Sequence, residues 1–563
     1  MPASPSDRGG VWRLAPILFL GWTALLPGTA LGQQLGPPIP LLPPPSASSP
    51  TLPPPSGSRR DDAVVSEPLA PPSAGWIIGT PVPDDALPEG LWRGTSRNIA
   101  DLLLARLPDT TSPALQSLER RLLLSPAAVP QGWGAGDDRL QMLRAAALLR
   151  LGELDAARAV VAGIPESKRG PALPLAVAAD AIGGNIEDAC VAVRETVRHD
   201  EGAFWQTALI ACQALQGQIE QARLRLQLLA EEQQEPQDKV LTAAVEKLAG
   251  QSSPPVTMDP ADPLDPLTLR LLVAARWEIE PAFVGKLRPD LALCLALDDE
   301  APAEARLNAA ERAARYGALS PDRLRSLYTT LAVPGELNAG GALDHARQFA
   351  AIGRARNSAE RMARIAGFID ALRSSEAAGL NLAARLVLPN LREMEPDSSL
   401  AGSAALTARL LLAAGDTGAA QRWSELVSTE QQGLLGLLFA LTLPREEIVV
   451  DQADASPPVL FLGLASALGE PLPPTVWAGV PPDLWTVAGP ASPPPAAWLD
   501  LTEAARGKRI GETVLAALIV ASPGDTLSTD PMALFIAVSA LRQVGLATDA
   551  HRLAVEAALA AGL

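Results

Sequence analysis

Residues that carry chemistry are scarce in this sequence. Only three histidines and three cysteines occur in 563 residues. No two histidines stand at metal-ligand spacing and no Cys-x-x-Cys is present, which removes the common zinc and dithiol classes. There is no Gly-x-x-x-x-Gly-Lys-Ser/Thr phosphate loop. Gly507-Lys508-Arg509 lacks both the preceding glycine and the hydroxyl residue. A Gly-x-Ser-x-Gly nucleophile elbow is also missing. Aromatic residues make up 4%, and β-branched and aromatic runs of the kind strands prefer are rare. Positive charge is in deficit, with 46 Lys+Arg against 63 Asp+Glu and a net charge of −17. Such a surface repels phosphate backbones, so no nucleic-acid partner is expected. Beyond the N-terminus no apolar run is long enough to span a bilayer.

What is present is mainly alanine, leucine and proline. The N-terminus reads as a secretory signal over residues 1–32. Arg8 and Arg13 precede the apolar stretch Leu14–Leu26, and Ala30-Leu31-Gly32 places small residues where a signal peptidase reads, giving cleavage before Gln33. A periplasmic or secreted location follows. An uncleaved anchor is the alternative. Residues 33–90 form a Pro/Ser-rich segment, with Pro43-Pro44-Pro45, Ser46-Ala47-Ser48-Ser49 and Pro53-Pro54-Pro55, too poor in packing groups to build a core and expected to be a disordered linker. Trp76-Ile77-Ile78 is its one apolar patch.

From about Gly94 the chain reads as successive helices, the first carrying Ile99, Leu102, Leu103 and Leu107 on one face. A joint recurs at Gly152-Glu153-Leu154-Asp155-Ala156-Ala157, Gly184-Asn185-Ile186-Glu187-Asp188-Ala189 and Gly217-Gln218-Ile219-Glu220-Gln221-Ala222. Related joints start at Gly341, Gly415 and Gly545. In each, glycine can enter the left-handed conformation that ends a helix. Acidic residues follow where the next helix dipole favours negative charge. The alanine five positions on (Ala157, Ala189, Ala222) lets two helices approach closely.

The period of these joints, 32 and 33 residues from Gly152 to Gly184 to Gly217, resembles that of the tetratricopeptide repeat in degenerate form. The overall texture and the closing segment Ala540–Leu563 are also similar to uncharacterised secreted alphaproteobacterial proteins. The tetratricopeptide resemblance implies an all-α fold, an α-solenoid of antiparallel helix pairs with a concave face for a protein or peptide partner. The expected divisions are N-terminal repeats over 91–250, a Pro-rich junction over 251–266, middle repeats over 267–450, a Pro/Trp-rich irregular segment over 451–498 and C-terminal helices over 499–563.

Several features invite a chemical reading and are given a structural one. Asp259, Asp262 and Asp265 each precede a proline and lack the glycine and distal glutamate of a calcium loop, so they read as caps and a rigid junction. Trp477, Trp485 and Trp498 are read as pinning an extended segment onto the helices. His199, His345 and His551 are read as solvated surface residues, and Glu446-Glu447 and Asp298-Asp299 as helix or turn decoration. The arginine-rich basic set is ascribed to genome composition. Cys190 and Cys212 fall nearly level on consecutive antiparallel helices, where either a disulfide or two buried thiols fits, and Cys294 reads as a core thiol. No catalytic, metal or cofactor site is expected. The function read from the sequence is a periplasmic scaffold for a protein or peptide partner. The alternative is a cell-envelope enzyme or accessory factor acting on peptidoglycan or polysaccharide.

Overall fold

A computed structural model describes residues 82–562, apart from 131, 133–137, 201, 233–238, 252–263, 333–339, 376–378, 443–458, 471, 473–494, 524–526 and 528–529. Residues 1–32, read above as a signal, and Trp76-Ile77-Ile78, Asp259, Asp262, Glu446-Glu447, Trp477 and Trp485 lie outside these residues. The described residues belong to one unit, Ala70–Leu563. They are helical, with no strand among them. Among them, no helix is long and apolar enough to cross a membrane.

Much of the proline is helix punctuation. Ser112-Pro113, Asp265-Pro266, Ser320-Pro321 and Asp530-Pro531 each open a helix, with proline at the first position and the preceding side chain accepting from a backbone N–H of the first turn. Asp265 accepts from both Leu267 and Thr268.

The joints share one geometry. Gly152, Gly184, Gly217, Gly415 and Gly545 have φ of +72°, +86°, +78°, +81° and +90°. At each, the glycine N–H reaches back three residues and the next N–H reaches back five, as Gly152 to Leu149 and Glu153 to Leu148. Ala157, Ala189, Ala222, Ala346, Ala420 and Ala550 are all fully buried. Gly341 differs: it also has positive φ, but it opens the helix Gly341–Ile352 rather than closing one. The same turn occurs where the motif gives no hint, at Gly250, Gly317 and Gly469, and at Arg276 and Lys508, which adopt positive φ without being glycine.

Consecutive helices pack as neighbours, but the stack is not a simple open one. Pro266–Ala274 returns onto Leu173–Gly183 and Ala203–Leu215, and Pro289–Ala296 onto Arg139–Arg150. The last helices also meet the first: Pro113–Leu124 packs on Ile510–Ala521 and on Ala547–Ala560. Arg121 pairs with Asp549 at 2.7 Å, Ser522 Oγ donates to Thr110 Oγ1 at 2.9 Å, and the Gly511 N–H donates to the Leu91 carbonyl at 2.8 Å. Leu115 and Leu118 share one continuous apolar core with Val514, Leu518 and Leu553. Burying these faces against each other removes from water the apolar surface that an open stack would leave on its end helices.

Several expectations are corrected. Residues 82–90, assigned to the linker, hold buried Leu87, whose N–H donates to Ser125 Oγ at 2.7 Å, because a leucine next to a folded surface buries itself even in Pro-rich sequence. The segment 451–498 contains the helix Val459–Leu468 with Phe461 fully buried. Its apolar run is helix-forming, and the flanking prolines obscured it. Leu102 is exposed, and Leu104 faces inward in its place. Trp498 is 41% exposed and lies in the helix Pro495–Arg506 rather than in an extended segment.

Cys190 and Cys212 are joined by a disulfide, their Cα atoms 5.5 Å apart, within a second core formed by residues 177–272. Cys294 is a free thiol, buried, and burial pushes its pKa up to about 12. Closing a loop of 22 residues stabilises the chain by about 3 kcal/mol. In denaturant without reductant, one thiol per chain is therefore expected to react with maleimide, and three after reduction. Three without reductant would mean the bridge is absent.

Candidate functional site

A groove of about 590 Å3 lies between Pro113–Leu124, Gly379–Arg392, the joint Leu412–Thr417 and Ala547–Ala560. Its place follows from the closure above, since one wall comes from the first helices and another from the last. Leu412, Ala413 and Val555 give it an apolar floor, and Ser117, Thr417, Thr442 and Thr548 add hydroxyls. Arg385, Arg552 and Glu556 supply ionisable groups, and His551 adds an imidazole.

Glu556 is buried, and each of its carboxyl oxygens accepts a hydrogen bond. Oε2 accepts from the Ala114 N–H at 3.0 Å and Oε1 from Asn381 Nδ2 at 3.1 Å. Burial raises its pKa from 4.5 to about 7, against the opposing pull of the Ala114 N–H, the Ser112 hydroxyl and Arg385. It caps the first turn of Pro113–Leu124 and so fixes the groove wall. Burial lowers the pKa of Arg385. The Arg385 Nε is buried with no hydrogen-bond partner among the described residues, and Nη2 reaches only the Ala314 carbonyl at 3.5 Å. Arg552 is exposed, and no described acid pairs with it. His551 is half-buried, its Nδ1 2.8 Å from the Leu441 carbonyl.

The other sequence candidates lie elsewhere. Gly152, Ala157, Gly184, Ala189, Gly217, Ala222, Cys190 and Cys212 build turns and helix seams outside the groove. Of the joint glycines, Gly415 lines it. His199 is exposed. His345 is buried, contrary to the surface reading, with Nδ1 2.9 Å from Glu311 Oε1, which also accepts from Tyr328 Oη at 2.8 Å. An acid 34 positions away in sequence made that burial possible and left no local signal. Burial alone would lower the pKa of His345, but the bond to Glu311 and the charges of Glu311 and Asp344 raise it. Asp298 is no decoration either: it is buried and pairs with buried Arg270 at 3.1 Å. No cluster of three or more His, Cys, Asp or Glu able to hold a metal occurs among the described residues.

These groups set a pH dependence. Burial also lifts Glu119 to about 7, Asp109 adding to the rise while Arg150 and Arg120 oppose it. An acid whose folded pKa is raised binds its proton more tightly when folded, so stability falls as pH rises above its ordinary value of 4.5 and levels off above about 7. His345, with a raised folded pKa, acts in the same direction as it loses its proton. Asp416, held below its ordinary 3.8 by Arg392, acts oppositely, its stabilisation being lost only in stronger acid. The melting temperature is therefore expected to be higher near pH 5 than at pH 7.5. Glu119→Gln with Glu556→Gln should flatten that difference, and an unchanged slope in the double variant would refute the assignment.

Comparison of the chain with family models, with curated proteins and with solved structures finds no match. The groove's own chemistry therefore carries the functional argument.

Proposed function

We propose that the protein is an exported, non-catalytic scaffold, a tetratricopeptide-like α-solenoid of the periplasm, that holds a protein or peptide partner in the groove between its first and last helices. The observation that carries this reading is an open cavity of about 590 Å3 with an apolar floor and a rim of hydroxyl and cationic side chains. This combination suits the apolar side chains and amide groups of a peptide. The enzymatic alternative draws on Glu556, whose raised pKa is typical of a general acid. Against it, both carboxyl oxygens accept from groups that build the wall, the Ala114 N–H and Asn381 Nδ2, which gives this carboxyl a structural task. Export rests on residues 1–32, and mature protein recovered from the periplasm should begin at Gln33.

The test is a photo-crosslinking residue at exposed Thr548, on the groove rim, with the protein expressed in its native envelope. A discrete protein or peptide adduct is expected there and not from a probe at exposed Arg198, outside the groove. Equal adducts from both sites, or turnover of peptidoglycan by the purified protein that Glu556→Gln abolishes, would refute the reading.

A further inference from the structure

Three helices begin at the groove. Pro113 and Ala114 open one, Thr417 opens the second, and Ala547 and Thr548 open the third. Each helix start carries a partial positive charge from its aligned peptide dipoles. Two acids beside these starts are already paired, Asp416 with Arg392 at 2.7 Å and Asp549 with Arg121 at 2.7 Å. Among the described residues Glu556 is the one acid that lines the groove, and its oxygens accept from Ala114 and Asn381. The cations are less well matched. Arg385 has its Nε buried and unbonded among the described residues, and Arg552 has no described acidic partner.

Arg385 lines the groove and its guanidinium makes no ion pair among the described residues, so an incoming carboxylate has an interaction to gain there. In a chain of net charge −17, this cavity concentrates cationic groups and helix starts where the rest of the sequence is acidic. From this arrangement, and resting on the peptide-binding reading above, we infer that the groove selects an acidic peptide segment, whose side-chain carboxylate is taken by Arg385 and Arg552. Leu412, Ala413 and Val555 then receive a neighbouring apolar side chain, and Thr417 and Thr548 offer hydroxyls to the peptide backbone. A polyphosphate fits less well, because its charge density meets the long-range repulsion of the acidic body and its backbone has no use for the apolar floor.

The experiment is selection of a displayed random-sequence peptide library on the full mature protein, followed by affinity measurement on a selected peptide. Peptides retained by the wild type are expected to be enriched in aspartate and glutamate. The selected peptide should bind at least about tenfold more weakly to Arg552→Gln and to Arg385→Gln, and equally well to Arg198→Gln, a charge change outside the groove. Its affinity should fall as salt is raised. Arg552 is exposed, so its variant reports on binding even if Arg385→Gln disturbs the fold. Retained peptides without acidic enrichment, or undiminished affinity in Arg552→Gln, would overturn the acidic preference and leave the scaffold reading standing. No retained peptide at all would overturn both. Displacement of the bound peptide by low-millimolar inorganic phosphate, with phosphate itself lost from Arg552→Gln, would assign the cationic pair to a free anion instead.

Discussion

Gly152→Ala is expected to destabilise the protein by about 2–5 kcal/mol, although it adds a single methyl group. Two costs coincide at this turn. The residue sits at φ +72°, where a side chain costs roughly 1–2 kcal/mol. A Cβ there would also lie 2.0 Å from the carbonyl oxygen of Ala318, so two turns far apart in sequence approach too closely to admit it. The obstructing atom belongs to backbone and cannot rotate away, so the turn or its neighbour must shift. Gly217 separates the two costs: its φ is +78°, but a Cβ meets nothing within 4 Å. Gly217→Ala should therefore lose only the conformational part, roughly 1–2 kcal/mol. Urea unfolding of the two variants measures the difference, and equal losses would mean that the contact with Ala318 is not made.

Asp298→Ala is expected to cost about 3–5 kcal/mol, because it strands the buried guanidinium of Arg270. Arg270 also donates to the carbonyls of Ala181 and Ile182, the last turn of Leu173–Gly183, at 3.1 and 3.0 Å. The pair thus links a joint of the early hairpins to the start of the middle ones. Removing both charges in Arg270→Met/Asp298→Leu should recover most of the loss by restoring apolar packing, but not all, since the two carbonyls lose their donor. If the double variant unfolds at least as easily as Asp298→Ala, the stranded charge is not the source of the cost.

The part of the fold legible in the sequence is the part whose cause is local. A glycine followed by an apolar residue and, five positions on, an alanine signals a helix end and a tight seam wherever it occurs, and the turns at Gly152, Gly184 and Gly217 follow from that logic. Arg276 and Lys508 make the same turn with side chains in the left-handed region, a choice that tertiary packing imposes and no local pattern announces. Long-range pairing was equally hidden. His345 beside Glu311, and Asp298 beside Arg270, are ordinary polar residues until the fold brings their partners to them.

The arginines show the same limit. Their abundance carries no motif, yet many end on helix carbonyls: Arg144 on Leu123 and Ser125, Arg120 on Gly317, Arg542 on Ala467. In a chain of short helices, each with unsatisfied carbonyls at its end, a long planar donor supplies what a local cap cannot. The groove was illegible for a related reason: two of its walls are the joints at Gly415 and Gly545, but nothing local in the sequence brings them to the residues near 113 and 385.

The bond from Ala114 to Glu556 joins positions 442 residues apart, and that separation governs the order of assembly. A chain threaded from its N-terminus delivers Pro113–Leu124 long before Ala547–Ala560 arrives to cover it. Until then the leading helices must wait with an apolar flank uncovered, and completion is held back by the slow search that closes so long a loop. Removing only the last helix would therefore unsettle the beginning of the body as much as its end, and an emerging chain of this design has reason to depend on a chaperone until that helix arrives.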